Sequence, residues 1–177
     1  LKLCQFLRIE QGFDAISVMP PNLYGPGDNF SINNGHVIPS LIRKFHEAKM
    51  LNKSHVGCWG SGLPKREFMY VDDLAEAVLF VLEYWNPDDN DAPINDAGEK
   101  LYYLNVGTGQ DITIKELANK IAKLTNYKGQ ILWDKNKPNG TPKKQLNVNR
   151  LLNLGWSPKV CLNDGIKMTI EQYKKSF

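Results

Sequence analysis

The chain of 177 residues, 42% hydrophobic and 23% charged, has the balance of a folded globular domain long enough to enclose a core of its own. No apolar run approaches the roughly 20 residues of a membrane-spanning helix, and the formal net charge of +3 comes from scattered Lys and Arg rather than a basic stripe, so neither a membrane nor a nucleic acid is expected as a partner. Three widely spaced cysteines, Cys4, Cys58 and Cys161, form no C-x-x-C pair; they read as buried free thiols of a reducing, cytoplasmic compartment, with no disulfide framework and no metal site.

Leu1 to Gln11 reads as the interior of an amphipathic helix, with Leu1, Cys4 and Leu7 at helical spacing, Leu3 and Phe6 beside them and Gly12 at the C-cap. No capping residue precedes it, so it reads as the continuation of a helix begun upstream. Ala15 to Met19 is a short buried strand stopped by Pro20-Pro21. Asn22 to Gly35 is expected as a long loop, and loops of that length in compact domains carry function more often than not. Val37 to Met50 returns to helical spacing, with Val37, Ile38, Leu41, Ile42 and Phe45 on one face. Val56 to Trp59 and Glu67 to Val71 are strands around a Gly60-Ser61-Gly62 turn, and Asp72 or Asp73 is expected to cap a helix reaching Trp85. A polar insertion to Lys100 leads to a strand over Leu101 to Val106. Thr113 and Glu116 then form a capping box for a helix to Asn126, with Ile114, Leu117, Ala118, Ile121 and Ala122 as its core stripe. A strand over Gln130 to Trp133, a lysine-rich loop from Lys135 to Lys144 and two short helices complete an α/β chain.

Gly107-Thr108-Gly109 follows a strand, but position 112 is Ile where a dinucleotide fingerprint needs its third glycine. It therefore reads as a strand-to-helix turn. Four polar clusters exceed what packing requires. Asn22-Leu-Tyr-Gly-Pro26 is followed by Asn29, Asn33, Asn34 and His36; the next helix carries Arg43 and Lys44. Trp59 and Arg66 flank the glycine turn, and the lysine-rich loop offers Lys137, Asn139, Thr141, Lys143 and Lys144. Taken singly, His36 reads as a helix cap or surface residue, Trp59 as core and the lysines as a solvated face. Taken together, an aromatic plane, a guanidinium, ammonium groups and amides suit a base, a diphosphate and a sugar.

At Asn22-Leu-Tyr-Gly-Pro26 the chain resembles the extended short-chain dehydrogenase/reductases that modify nucleotide sugars. The strings SVMPPNLYGPGDNF, NGHVIPSLIRKFHEA, WGSGLPKREFMYVDDLA, LNVGTG and KPNGTPKK are together similar to the GDP-L-fucose synthase family, over nearly the whole length. The resemblance implies an α/β fold: residues 1–23 as the tail of a Rossmann domain and residues 24–177 as the substrate domain, with 67–106 partly returning to the Rossmann sheet. It implies epimerisation of a GDP-linked 4-keto-6-deoxy-mannose at C3 and C5, then reduction of the C4 ketone by NADPH, in a homodimer. In this family His36 would be the acid that reprotonates the sugar and would also lie near the cofactor. Pro20, Pro21, Asn22 and Leu23 would line the nicotinamide side, and Lys44, Trp59, Arg66 and Asn139 would hold the GDP-sugar. The family's Tyr-x-x-x-Lys pair, glycine fingerprint and catalytic cysteine would lie upstream, so Cys4 inherits no role and the chain alone is expected to be inactive. Two departures stand out: Asn139 replaces the family's Asp, and Pro21 has no N–H to offer the cofactor. Another sugar-nucleotide epimerase or dehydratase, or a stand-alone sugar-nucleotide binding module, are the alternatives.

Overall fold

The computed structural model describes residues 1–31 and 35–176; Asn33 and Asn34 of the amide cluster lie outside the described residues. Helix α1 (Lys2–Gln11) ends where Gly12 takes φ 64, its N–H closing on Arg8 O. None of its residues is buried; Leu3, Phe6 and Ile9 are largely exposed. Strand β1 (Ser17–Met19) is short, as expected, but not buried: Ser17 and Val18 are half-buried and Met19 is exposed. The long loop is not entirely a loop, because Asn22–Tyr24 forms a second strand, β2. The two prolines end β1 without preventing this, since the pairing partner of β2 is remote in sequence.

Helix α2 (Val37–Met50) buries Ile38, Leu41, Ile42, Phe45 and Ala48 at helical spacing. Val37, expected on the same face, is 42% exposed because it sits in the first turn, beside the site described below. Strand β3 (His55–Trp59) alternates, turning Val56 and Cys58 inward and Trp59 outward. Strand β4 (Lys65–Tyr70) starts earlier than its apolar run and is buried from Glu67 to Tyr70. Helix α3 (Val71–Tyr84) follows without a break and has no side-chain cap. Neither Asp72 nor Asp73 occupies its N-cap: both lie in the first turn, and Asp73 is buried, accepting the N–H groups of Lys159 and Val160.

Strand β5 (Tyr103–Asn105) leads through the Gly107-Thr108-Gly109 turn into strand β6 (Asp111–Thr113), so that turn joins two strands and does not open a helix. Helix α4 (Ile114–Leu124) begins at the expected capping box, with Thr113 Oγ1 accepting from Glu116 N and Glu116 Oε2 accepting from Thr113 N. Its expected stripe is buried at Leu117, Ala118, Ile121 and Ala122 and half-buried at Ile114. Strand β7 (Gln130–Asp134), a two-residue strand β8 (Lys143–Lys144) inside the lysine-rich loop, and helices α5 (Asn149–Asn153) and α6 (Leu162–Ser176) complete the described chain.

The pairings are non-local. β1 runs parallel to β5, β2 parallel to β4, and β3 parallel to β7, while β4 also takes β6 antiparallel and β8 parallel. Two apolar clusters result. One gathers α2, α4 and α6 around Phe45, Phe68 and Ile121; the other gathers β1, β5, α3 and α5 around Leu104, Val81 and Trp156. β4 belongs to both, since Phe68 faces the first and Met69 the second.

Candidate functional site

The start of α2 and the strand β2 enclose a cleft of about 710 Å³, lined by Pro21, Asn22, Leu23, Asp28, His36 and Phe68 among others. Asn22 sets its floor by donating Nδ2–H to Glu67 O at 2.8 Å, which ties the start of β2 to β4. Gly25 then bends the chain away at φ 144; a Cβ there would stand 2.9 Å from Val71 Cγ1, so only glycine fits. Four of the five residues expected beside a cofactor, Pro21, Asn22, Leu23 and His36, line the cleft. Pro20 does not line it; it is exposed between β1 and β2.

His36 occupies the N-cap of α2 yet makes no capping bond with its side chain. Its ring is 77% exposed, and its Nδ1 lies 3.3 Å from Asp28 Oδ1. The ring is thus free to meet a ligand from the cleft. The first-turn N–H groups of α2 lack intrahelical partners and give this end of the helix a partial positive charge. A developing anion in the cleft would find both.

Lys44 lies eight residues further along the same helix, about 12 Å along its axis from His36. Its Nζ stands 5.9 Å from the centroid of the Trp59 ring, and Lys137 Nζ stands 5.5 Å from the same centroid. Trp59 is 69% exposed, so its face is a platform and not part of the core. The Gly60-Ser61-Gly62 turn, with both glycines at φ 73, brings β4 back beside it. Arg66 on β4 donates Nη1–H to Lys65 O at 2.8 Å and to Thr141 O at 2.6 Å. It pairs with neither Glu67 nor Asp72, and its Nη2 bonds no described residue. Asn139 Oδ1 accepts Ser61 N at 2.7 Å and Ser61 Oγ at 2.9 Å, holding the lysine-rich loop against the turn.

The fold therefore brings Lys44, Trp59, Arg66 and Asn139 to one end of β3 and β4, with Lys137 added to them. An oxygen at Asn139 is what the turn uses, so an Asp would serve it equally. Asn139→Asp is expected to leave stability within about 0.5 kcal/mol, whereas Asn139→Ala should cost about 0.5–1.5 kcal/mol in a thermal melt. Equal losses in the two variants would show that the bond to Ser61 does not hold the turn.

Glu67 was not singled out by its sequence context. It is fully buried, and its Oε1 accepts Thr108 N at 2.7 Å and Gly109 N at 2.9 Å while Oε2 accepts Leu146 N at 2.8 Å. The Gly-Thr-Gly amides that resemble a phosphate cradle are thus taken by a carboxylate of the protein itself. Glu67 directly follows Lys65 and Arg66 and precedes the apolar Phe68-Met69-Tyr70 run, so the local sequence reads it as one more charge at a strand start and gives no signal of its burial. The thiols are unpaired, but only Cys58 is buried, its pKa raised by desolvation and partly offset by Lys44. Cys4 is half-buried and Cys161 is exposed, contrary to the expectation that all three are buried, because both lie outside the two apolar clusters. Among the described residues no group of three His, Cys, Asp or Glu side chains could hold a metal, and no helix is long and apolar enough to cross a membrane.

This arrangement has close relatives. The chain is 46% identical over 173 residues, 98% of its length, to the probable GDP-L-fucose synthase 1 of Oryza sativa subsp. japonica, of which it covers 49%. It is also 46% identical over 173 residues to the GDP-L-fucose synthase of Escherichia coli K12, covering 98% of this chain and 53% of that protein. The chain thus spans about half the length of the curated relatives it matches. A solved structure of a GDP-L-fucose synthetase from Naegleria fowleri bound to NADP superposes with a TM-score of 0.80 at 26% identity, over 99% of this chain and 53% of that one. The model of the NAD dependent epimerase/dehydratase family matches residues 1–95, more than half of the chain, and the chain belongs to that family.

Proposed function

We propose that the chain forms the nucleotide-sugar-binding half of an enzyme that converts GDP-4-keto-6-deoxy-D-mannose to GDP-L-fucose, by epimerisation at C3 and C5 followed by NADPH-dependent reduction at C4. One observation carries this reading: an exposed indole with the Lys44 and Lys137 ammonium groups over it lies at the end of β3, and Lys44 shares α2 with His36, about 12 Å along its axis. The indole offers a stacking plane for a base, the cations suit a diphosphate, and the sugar would then extend toward the cleft. The relatives named above supply the choice of guanosine and of the fucose product, and the family resemblance supplies the keto sugar.

His36 is the proton donor in this reading. The C4 ketone lets the protons at C3 and C5 leave, and the exposed imidazole returns a proton to the opposite face. The positive end of α2 favours the enolate while it lasts. The wall of Pro21 and Leu23, with Gly25 presenting no side chain, fits the flat nicotinamide of NADPH. When bound, that group supplies the hydride for C4; these residues orient it and keep water away. The remaining half of such an enzyme would bring the complementary base and the Tyr-x-x-x-Lys pair, and residues 1–177 alone are expected to lack reductase activity.

The reading includes the division of the chain. Residues 1–23 and parts of 67–106 belong with a nucleotide-binding sheet, which the parallel pairing of β1 with β5 and the second apolar cluster support. It also includes a cytoplasmic homodimer, for which Leu3, Phe6 and Ile9 on α1 offer apolar surface. Light scattering that finds only monomer of the complete enzyme would remove the dimer.

The test of the whole reading is Arg66. In the complete enzyme, Arg66→Ala should weaken GDP binding by about 1.5–3 kcal/mol, or about 10- to 150-fold. Arg66→Lys should weaken it less, since a point charge replaces a two-pronged donor. An unchanged dissociation constant together with a lower melting temperature would make Arg66 a purely structural clamp on Thr141 and take away the reading's main support.

A further inference from the structure

Asp28 lines the same cleft as His36, from the turn that carries β2 toward α2. Only 9% of its side chain is exposed. Its Oδ1 accepts the backbone N–H of Asn29 at 2.7 Å and lies 3.3 Å from His36 Nδ1, while its buried Oδ2 has no hydrogen-bond partner among the described residues. No Lys or Arg pairs with it; His36 is its one ion-pair partner among them. A buried carboxylate with a spare oxygen is costly unless something nearby uses its charge. The Asn29 bond alone would be served as well by a neutral Asn or Ser at this position.

We propose that Asp28 is a positioning residue for His36: it takes the Nδ1–H of the imidazole and thereby leaves Nε2 as the nitrogen that delivers the proton. The proposal rests on the epimerase reading for the identity of the proton's acceptor. Its geometry is independent of that reading, because it needs only the two side chains. His36 has no capping bond and a ring that is mostly in solvent, so nothing else among the described contacts fixes its tautomer or its rotation. With Nδ1–H directed at Asp28, the Nε2–H bond breaks in the transfer and its electron pair stays on the ring. The enolate's electron pair forms the new C–H bond, and the enolate oxygen returns to a carbonyl. The ring left behind is the neutral Nδ1–H tautomer, the form that Asp28 accepts from. Solvent water then restores the Nε2 proton, and Asp28 remains a carboxylate throughout.

The test uses the complete enzyme labelled with 15N-histidine, with the His36 signals assigned by their loss in His36→Gln. Wild type should show the Nδ1–H tautomer for the neutral ring, and Asp28→Ala should shift it toward Nε2–H. In the same variant, incorporation of solvent deuterium at the two carbons beside the ketone should fall by about tenfold or more. KM for the keto sugar should stay within about threefold, because Asp28 orients the acid and does not hold the nucleotide. Asp28→Asn keeps an oxygen for Asn29 N–H and serves where Asp28→Ala disturbs the loop; its amide lacks the charge, so exchange should still fall. Tautomers and exchange that match wild type in both variants overturn the proposal, as does a shifted tautomer with undiminished exchange. A wild type that shows the Nδ1–H bias but exchanges no deuterium supports the hold of Asp28 on His36 and sinks the epimerase reading instead.

Discussion

His36→Gln in the complete enzyme is expected to slow solvent-deuterium exchange at C3 and C5 of the keto sugar by about 10²- to 10⁴-fold, the usual worth of a positioned general acid. Glutamine keeps a polar side chain of similar reach but cannot donate a proton to carbon. The fold should hardly notice the change. The His36 side chain makes no cap bond to α2 and is 77% exposed, so the melting temperature should correspond to a loss within about 0.5 kcal/mol. NADPH affinity should stay within about threefold, because the cleft wall of Pro21 and Leu23 is untouched. Exchange at the wild-type rate in this variant would show that another group protonates the sugar.

Glu67→Ala is expected to be the most damaging change for stability, at about 3–5 kcal/mol in a urea titration. It would leave the N–H groups of Thr108, Gly109 and Leu146 facing a closed space with no acceptor. Glu67→Gln should lose less, since an amide oxygen can keep part of the set while its NH₂ opposes the rest. The damage should reach the site as well. Glu67 joins the Gly107-Gly109 turn and the segment at Leu146 to β4, and Arg66 is the next residue on that strand. GDP binding should therefore weaken in any Glu67 variant that remains folded. A loss below about 1 kcal/mol in Glu67→Ala would mean that the three amides find other partners, and that the turn is held by its own backbone.

The helices of this protein were written locally. The stripe of Ile38, Leu41, Ile42 and Phe45 predicts α2, and Thr113 with Glu116 predicts the start of α4, because spacing and capping act within a few residues. The polar clusters were legible in the same way, since Trp59 and Arg66 flank a glycine turn and lysines crowd the loop from Lys135 to Lys144. What the sequence could not settle by itself was set by pairings between distant segments. β2 and β8 are too short to carry a period of their own, and they exist because β4 offers them hydrogen bonds. Asp73 looked like a helix cap, but the backbone of Lys159 and Val160 claims it. The glycine turn reads locally as a strand-to-helix turn, but it joins β5 to β6, and its amides are taken by Glu67, some 40 residues earlier in the chain. The contact between Asp28 and His36 joins two side chains eight residues apart that no local period pairs. Short-range periodicity and capping thus determined which long helices form. Tertiary structure alone decided which buried polar group meets which partner, because that choice depends on distances across the fold that no local pattern encodes.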